Sequence, residues 1–250
     1  MEKSVETLSH VTRARLDRVE ADLRASLTRV TSLEDAAQTF AKQIYDTFVE
    51  STVLARVYAT VPFERLPAAH QKFVTELASS KSALARLDAL TPVLSLVGTY
   101  GAEPSWCDRH QSKAHVGIPL IDTKFVEAIP MVARLLQELG VDPLWFDDPP
   151  GTFVRRLIGG FNGVFYVPNA ASSKDAAGRH VIPARDFVEE HRVSTVFGMG
   201  GSYLDGTLVA SIVFTREDIP RPQAEQLATL ISTLKTATAT LVRAGHIFVD

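Results

Sequence analysis

The sequence predicts an α+β fold in which a central antiparallel sheet is flanked by helices and preceded by a long N-terminal amphipathic helix. Three observations carry this. Val5, Leu8, Leu16, Val19, Leu23, Leu27, Val30 and Leu33 recur mostly at three- and four-residue steps. Arg13, Arg15, Asp17, Glu20 and Arg24 fall mostly elsewhere, so the apolar set follows one helix face. STVFGMGGSYLDGTLVASIVF (194–214) places two β-rich runs on either side of an Asp205-Gly206 turn signal and reads as a hairpin. PMVARLLQELG opens on Pro130 and stops before Gly140, residue types that suit the two ends of a helix.

The remaining elements follow in order. Ser32 and Asp35 make a short-armed capping box, from which a second helix runs to about Val49 on Leu33, Ala37, Phe40, Ile44 and Phe48. TVLARVYATV (52–61) is β-branched and alternating, as a strand requires. Residues 66–90 carry helical spacing at Phe73, Leu77, Leu84 and Leu87, with a break at Ser79 and Ser80. TPVLSLVGTYG (91–101) suits a central strand. The polar stretch PSWCDRHQSKAHVGIP (104–119) follows, and HVGIPL within and beyond it forms a second short strand. WFDDPPGT (145–152) is a loop by composition, and helical character resumes over 152–158. FNGVFYVP (161–168) reads as a strand and NAASSKDAAGRH as an exposed loop. After REDIPRPQ, Ala224, Leu227, Ile231, Leu234 and Leu241 continue at helical spacing.

No repeat or linker divides the body. The expected division is residues 1–31 as an N-terminal amphipathic or coiled-coil helix and 32–250 as one domain. The apolar face of 1–31 fits a short coiled-coil seam or a helix lying on the body of its own chain, and both readings stand.

Composition excludes several function classes. With 46% hydrophobic and 22% charged residues the 250-residue chain has ordinary globular balance. A net charge of −3 supplies no field that would recruit nucleic acid or an anionic membrane. The single cysteine, Cys107, cannot close an internal disulfide. MEKSVETLSH lacks the apolar core of a signal peptide, and no run approaches the roughly 18 apolar residues of a membrane span. The expectation is a soluble, cytoplasmic protein that binds neither nucleic acid nor membrane.

The segment VSTVFGMGGSYLDGTLVASIVFTREDIPRPQAEQLATLIS resembles the closing hairpin and final helix of GAF domains, relatives of PAS domains. The likeness is clear here and loose over most of the remaining chain. SLVGTYGAEPSWCDRHQSKAHVGIPL, IPMVARLLQELG, and FYVPNAA followed by IPARDFV are similar to a GAF-like sensory module fused to bacterial histidine kinases and other signalling outputs. The resemblance implies a GAF-like sheet with a ligand pocket and a cytoplasmic input role without catalysis. It further implies a homodimer working through its terminal helices, with output from a separate protein such as a histidine kinase.

The polar stretch 104–119 admits four readings. Cys107, His110 and His115, with Asp108, offer the donor types of a zinc site, but no second paired spacing accompanies them. Cys107 with His110 or His115 as base has the parts of a thiol nucleophile. No G-x-S-x-G, H-E-x-x-H, P-loop or C-x-x-C-H occurs elsewhere. In a recognition reading, Arg109 forks onto a carboxylate or phosphate, Asp108 holds it and Trp106 covers an apolar ligand face. In the fourth, the loop is purely structural.

Recognition supplies the candidate ligand-binding set: Trp106, Asp108, Arg109, His110 and His115, with Phe165 and Phe197 on strands. No catalytic or metal residue is assigned. The cofactor stays unknown, with haem or another small molecule open. An adaptor with a vestigial pocket, or an enzyme dependent on Cys107 or a metal, is the alternative. GMGG (198–201) is read as a strand that bends or admits a close neighbour rather than as a phosphate loop. Phe161 and Phe214 are placed in strand cores.

Overall fold

The computed structural model describes residues 7–112, 115–148, 152–158 and 162–249. Its centre is the strand Thr52–Pro62 (β1), where successive side chains point to opposite faces of a sheet. β1 pairs antiparallel with Pro92–Gly101 (β2) on one side and Leu208–Thr215 (β6) on the other. Gly117–Pro119 (β3), Asn162–Val167 (β4) and Val196–Ser202 (β5) complete six strands in the order β3-β2-β1-β6-β5-β4. Every neighbouring pair is antiparallel. The expected hairpin is the β5–β6 pair, turning at Gly206 with φ +85°.

The alternation of β1 sorts two apolar layers. Ala55, Val57 and Ala59 face a layer built with Arg13–Ser26 (α1), Leu33–Thr47 (α2) and, at the C-terminus, two further helices. Leu54 and Tyr58 face the other layer, with Leu94, Ile118, Phe165, Ile212 and Phe214. Ala68–Ser80 (α3) packs beside β3. Thr123–Glu127 (α4), Pro130–Glu138 (α5), Thr152–Leu157 (α6) and Arg185–Glu190 (α7) occupy the second layer. Arg221–Gln226 (α8) and Ala228–Arg243 (α9) return to the first.

Two contacts fix how closely helices approach the sheet. A Cβ at Gly98 would lie 2.4 Å from the Ala37 carbonyl carbon, so α2 rests directly on β2. A Cβ at Gly163 would lie 2.5 Å from the Glu138 oxygen, so α5 rests on β4 in the same way. β4 is an edge strand. Arg134 donates to the Tyr166 carbonyl at 2.8 Å, and Glu138 accepts from the Tyr166 N–H at 2.6 Å. These side chains occupy backbone groups that an open edge offers to another chain.

The N-terminal segment departs from the expected continuous helix. A 3-10 turn at Leu8–His10 precedes extended Val11, and Thr12 caps α1. Another 3-10 turn, Leu27–Arg29, then separates α1 from Ser32, which caps α2. Tertiary bonds explain the first break: Leu8 N–H donates to Ser51 Oγ, Ser9 N–H to Glu217, and the Val11 carbonyl accepts from Gln223. Val5 lies outside the described residues. Leu8, Leu16, Val19, Leu23 and Leu27 are all buried in the layer shared with α2 and α9. The apolar face is therefore covered by the chain's own helices, as in the second of the two readings.

Elsewhere, α3 ends at Ser80 as the spacing predicts. α4 and α7 were not predicted: each has five or six residues, which display little helical period. Part of WFDDPPGT is a 3-10 turn, Pro143–Asp147. Phe161 lies outside the described residues.

Candidate functional site

The layer that carries α5 and α7 does not close completely. A cavity of about 240 Å³ lies between the sheet and its roof. Leu54, Tyr58, Leu94, Ile118, Ile212 and Phe214 form the floor, while Ile129, Met131, Val132 and Leu135 come from the α5 region. Ile182, Pro183, Ala184 and Phe187 close it from the α7 side. Against these apolar walls stand Arg56 and His115. A few polar groups converging on an apolar concavity is the usual form of a small-molecule site.

Arg56 occupies β1 in phase with Leu54 and Tyr58, directly across from Ile212 on β6. Its guanidinium donates to Tyr58 Oη at 3.4 Å and to Ser112 Oγ at 3.0 Å. His115 adopts φ +57°, a left-handed backbone uncommon outside glycine. It lines the cavity, which desolvates the imidazole, while the rest of the residue stays exposed. Its pKa lies below the ordinary histidine value, first because of burial and then because of the Arg56 charge. Arg56 thus projects positive potential toward the imidazole.

Trp106 also lines the cavity, edge-on to Phe187 at 5.5 Å and to His191 at 4.8 Å. It lies over the end of β2, where a Cβ at Gly101 would come within 2.9 Å of its ring. Of the expected set, the structure brings Trp106 and His115 together at one site. The other members need correction.

Arg109 is turned away from the cavity and buried at 4% exposure. Its Nε donates to Glu34 Oε1 at 2.5 Å and its Nη1 meets His70 Nε2 at 3.0 Å. The guanidinium is consumed by these partners, because a buried charge without one would cost too much. His70 Nδ1 lies 2.8 Å from Ser95 Oγ. Since Arg109 can only donate, Nε2 accepts and the ring proton sits on Nδ1, facing Ser95. The serine therefore meets a donor, not a base. Burial first, then the Arg109 charge, lowers the His70 pKa to about 4.

Phe248 covers this cluster, with Arg109 5.2 Å from its ring centroid and His70 edge-on at 5.8 Å. Val249 N–H donates to Glu34 Oε2 at 2.9 Å. Leu33 and Glu34 N–H groups, unsatisfied within α2, donate to the carbonyls of His246 and Ile247.

Asp108 and His110 pair with each other near the surface. Both the N–H and the ring Nδ1 of His110 lie 2.9 Å from Asp108 Oδ1. Burial pushes the Asp108 carboxyl up, but these bonds outweigh it and hold the pKa below its ordinary value. Cys107 Sγ donates to the carbonyls of Gly101 and Glu103. Phe165 is fully buried on the cavity's side of the sheet without lining it. Phe197 is buried on the opposite face, against α2 and α9, because β5 alternates there. Gly198 and Gly200 of GMGG leave room for the Phe165 ring and the Leu139 side chain.

Arg56 was missed by the sequence reading. The available signal was a cation in phase with Leu54 and Tyr58 in an otherwise apolar strand. A larger recess of about 310 Å³ near Trp145 contains Asp122, Asp147 and Asp148, but these carboxylates serve local partners. Asp122 pairs with Arg86 and caps Phe125, Asp147 accepts from Thr123, and Asp148 pairs with Arg156. Among the described residues no group of three His, Cys, Asp or Glu side chains is placed to hold a metal. Nor is any helix among them long and apolar enough to cross a membrane.

Neither a family model nor a curated protein matches the chain. Several solved structures are similar to it. The GAF domain of an Acinetobacter phosphoenolpyruvate-protein phosphotransferase is 13% identical with a TM-score of 0.48, over 95% of this chain and 100% of that one. The phycoerythrobilin-bound GAF domain of a cyanobacterial phytochrome is 13% identical with a TM-score of 0.44, over 92% and 98%. The free methionine-R-sulfoxide reductase of Neisseria meningitidis, in complex with its substrate, is 10% identical with a TM-score of 0.46, over 96% and 98%. Two of these three are GAF domains.

Proposed function

We propose that the protein is a non-catalytic sensory domain that binds a small molecule in the cavity between its sheet and the α5–α7 roof. The observation that carries this is the cavity itself: 240 Å³ of apolar space with Arg56 and His115 directed into it. A chain with no use for that space would gain packing contacts by filling it. Occupancy biases the arrangement of the segments around it, which is how such a domain reports a ligand. A homodimer in the cytoplasm, passing its signal to a separate protein such as a histidine kinase, belongs to the same reading. Because the apolar face of α1 is buried within the chain, this reading puts the proposed dimer contact on other surfaces.

Native mass spectrometry of the intact protein tests the reading, with Val132→Phe as the control that fills the cavity. A retained small molecule lost in Val132→Phe supports it. A protein that carries nothing, and whose unfolding temperature no member of an apolar ligand collection raises, refutes it. Sedimentation at increasing concentration tests the dimer separately, and a monomer throughout would remove that part.

A further inference from the structure

We infer that the cavity selects a small, neutral, apolar molecule bearing one acceptor-only oxygen, a ketone or ester carbonyl, which takes the hydrogen bond of the Tyr58 hydroxyl. This deepens the reading of the cavity as a ligand site and rests on it.

Tyr58 carries the argument. It lines the cavity floor and is 4% exposed. Its hydroxyl meets Arg56 at 3.4 Å, and there it accepts, because a guanidinium has no lone pair to offer. The Tyr58 O–H hydrogen is left without an acceptor among the described residues. A buried donor in that position has lost its bond to water and gained nothing in return. The adjoining space is where an acceptor can enter.

The rest of the lining points the same way. Besides Tyr58, its polar side chains are Arg56, Trp106 and His115, with no carboxylate or amide among them. Arginine and tryptophan can only donate, and a neutral imidazole donates from one nitrogen. Burial, and then the Arg56 charge, favour that neutral form of His115. A ligand amine or amide would bring donors of its own to a wall already rich in them. A carbonyl oxygen only accepts.

Size and wall chemistry bound the remainder. An engineered apolar cavity of about 150 Å³ accommodates benzene. The 240 Å³ here suits one substituted ring or a short branched chain, not a dinucleotide or a tetrapyrrole. Leu54, Ile118, Val132, Ile212 and Phe214 reward an apolar body. A charged head group would have to leave water to enter beside them, at a cost that a neutral carbonyl avoids.

The intact protein is titrated calorimetrically with acetophenone, phenylacetate and toluene. Tyr58→Phe keeps the ring and removes only the hydroxyl. It is expected to weaken acetophenone about tenfold and to leave toluene unchanged. Phenylacetate is expected to bind wild type at least about tenfold more weakly than acetophenone. The infrared carbonyl stretch of bound acetophenone gives a second measurement on wild type alone, should Tyr58→Phe fold poorly. It is expected below its frequency in an alkane solvent, as a hydrogen-bonded carbonyl requires. An unshifted stretch, or equal acetophenone binding by wild type and Tyr58→Phe, overturns the carbonyl assignment but leaves the cavity as a site. Tighter binding of phenylacetate than of acetophenone has the same meaning, since the class is then anionic. Failure of all three ligands overturns both.

Discussion

Two arginines reached by the same polar stretch stand in contrasting environments. Arg109 lies in a fully enclosed cluster in which Glu34, His70 and the Phe248 ring use its charge, its donors and its face. Arg56 lies at the edge of an open space, with the hydroxyls of Tyr58 and Ser112 among its partners. The first arginine completes a structure, and the second shapes a site. Their difference is one of partners rather than residue type, and it separates the cost of removing each.

The largest break in this contrast comes from Glu34→Ala, which leaves Arg109 charged and buried. Loss of one partner from an enclosed ion pair costs about 3–5 kcal/mol. Arg56→Met, which removes bonds that include those to the Tyr58 and Ser112 hydroxyls but leaves no enclosed charge unpaired, is expected to cost less, about 1–2 kcal/mol. Urea denaturation compares the two. Similar losses would abolish the distinction.

Next in size is the pH response of the enclosed cluster. His70 titrates at about 4 in the folded chain, against 6.5 for a free histidine. Arg109 on Nε2, Ser95 on Nδ1, and the nearby charges of Glu34 and His110 face it, with Phe248 packed on the ring. The unfolded chain binds the proton more readily, so the stabilisation is complete above pH 6.5 and declines as pH falls toward 4. About 2 kcal/mol of it is gone by pH 5. Denaturation of wild type and His70→Asn at pH 7 and pH 5 measures this as a shrinking difference. A constant difference refutes it.

Phe248→Ala sharpens the contrast further. Removing the ring that covers Arg109 and His70 is expected to cost about 1–2 kcal/mol and to speed amide exchange at Leu33, Glu34 and Val249. Unchanged exchange would mean that the terminal segment does not seal the cluster. On the cavity side, Val132→Phe is expected to shift stability by less than about 1 kcal/mol, since the added ring enters existing space. It should nevertheless abolish toluene binding. Asp108→Asn is the smallest effect, about 0.5 kcal/mol or less, because its pair with His110 is largely exposed.

Most strands were legible because their pattern is local. Leu54, Arg56 and Tyr58 alternate with Ala55, Val57 and Ala59, and any antiparallel sheet must place these sets on opposite faces. Pro130, Gly140 and Gly206 mark boundaries through their own backbone preferences. The candidate site was legible only in part. Trp106 and His115 were singled out and do line the cavity, whereas Phe197, a candidate ligand contact, is buried on the opposite face. That side depends on which face of the sheet the cavity occupies, and this is decided by where the distant helices α5 and α7 pack, not by β5 itself. Arg109 was misjudged because its partners, Glu34 and His70, lie 75 and 39 positions away.

The sequence by itself determined the sheet, its closing hairpin, the central helices and the concentration of polar groups between β2 and β3. These follow from period, turn chemistry and composition, each readable within a short window. Only the tertiary structure decided that the N-terminal apolar face is covered by the chain's own helices, that Arg109 is spent in an ion pair, and that Arg56 faces a cavity. A charge's role depends on what is packed within a few ångströms of it, and that neighbourhood is assembled from distant segments.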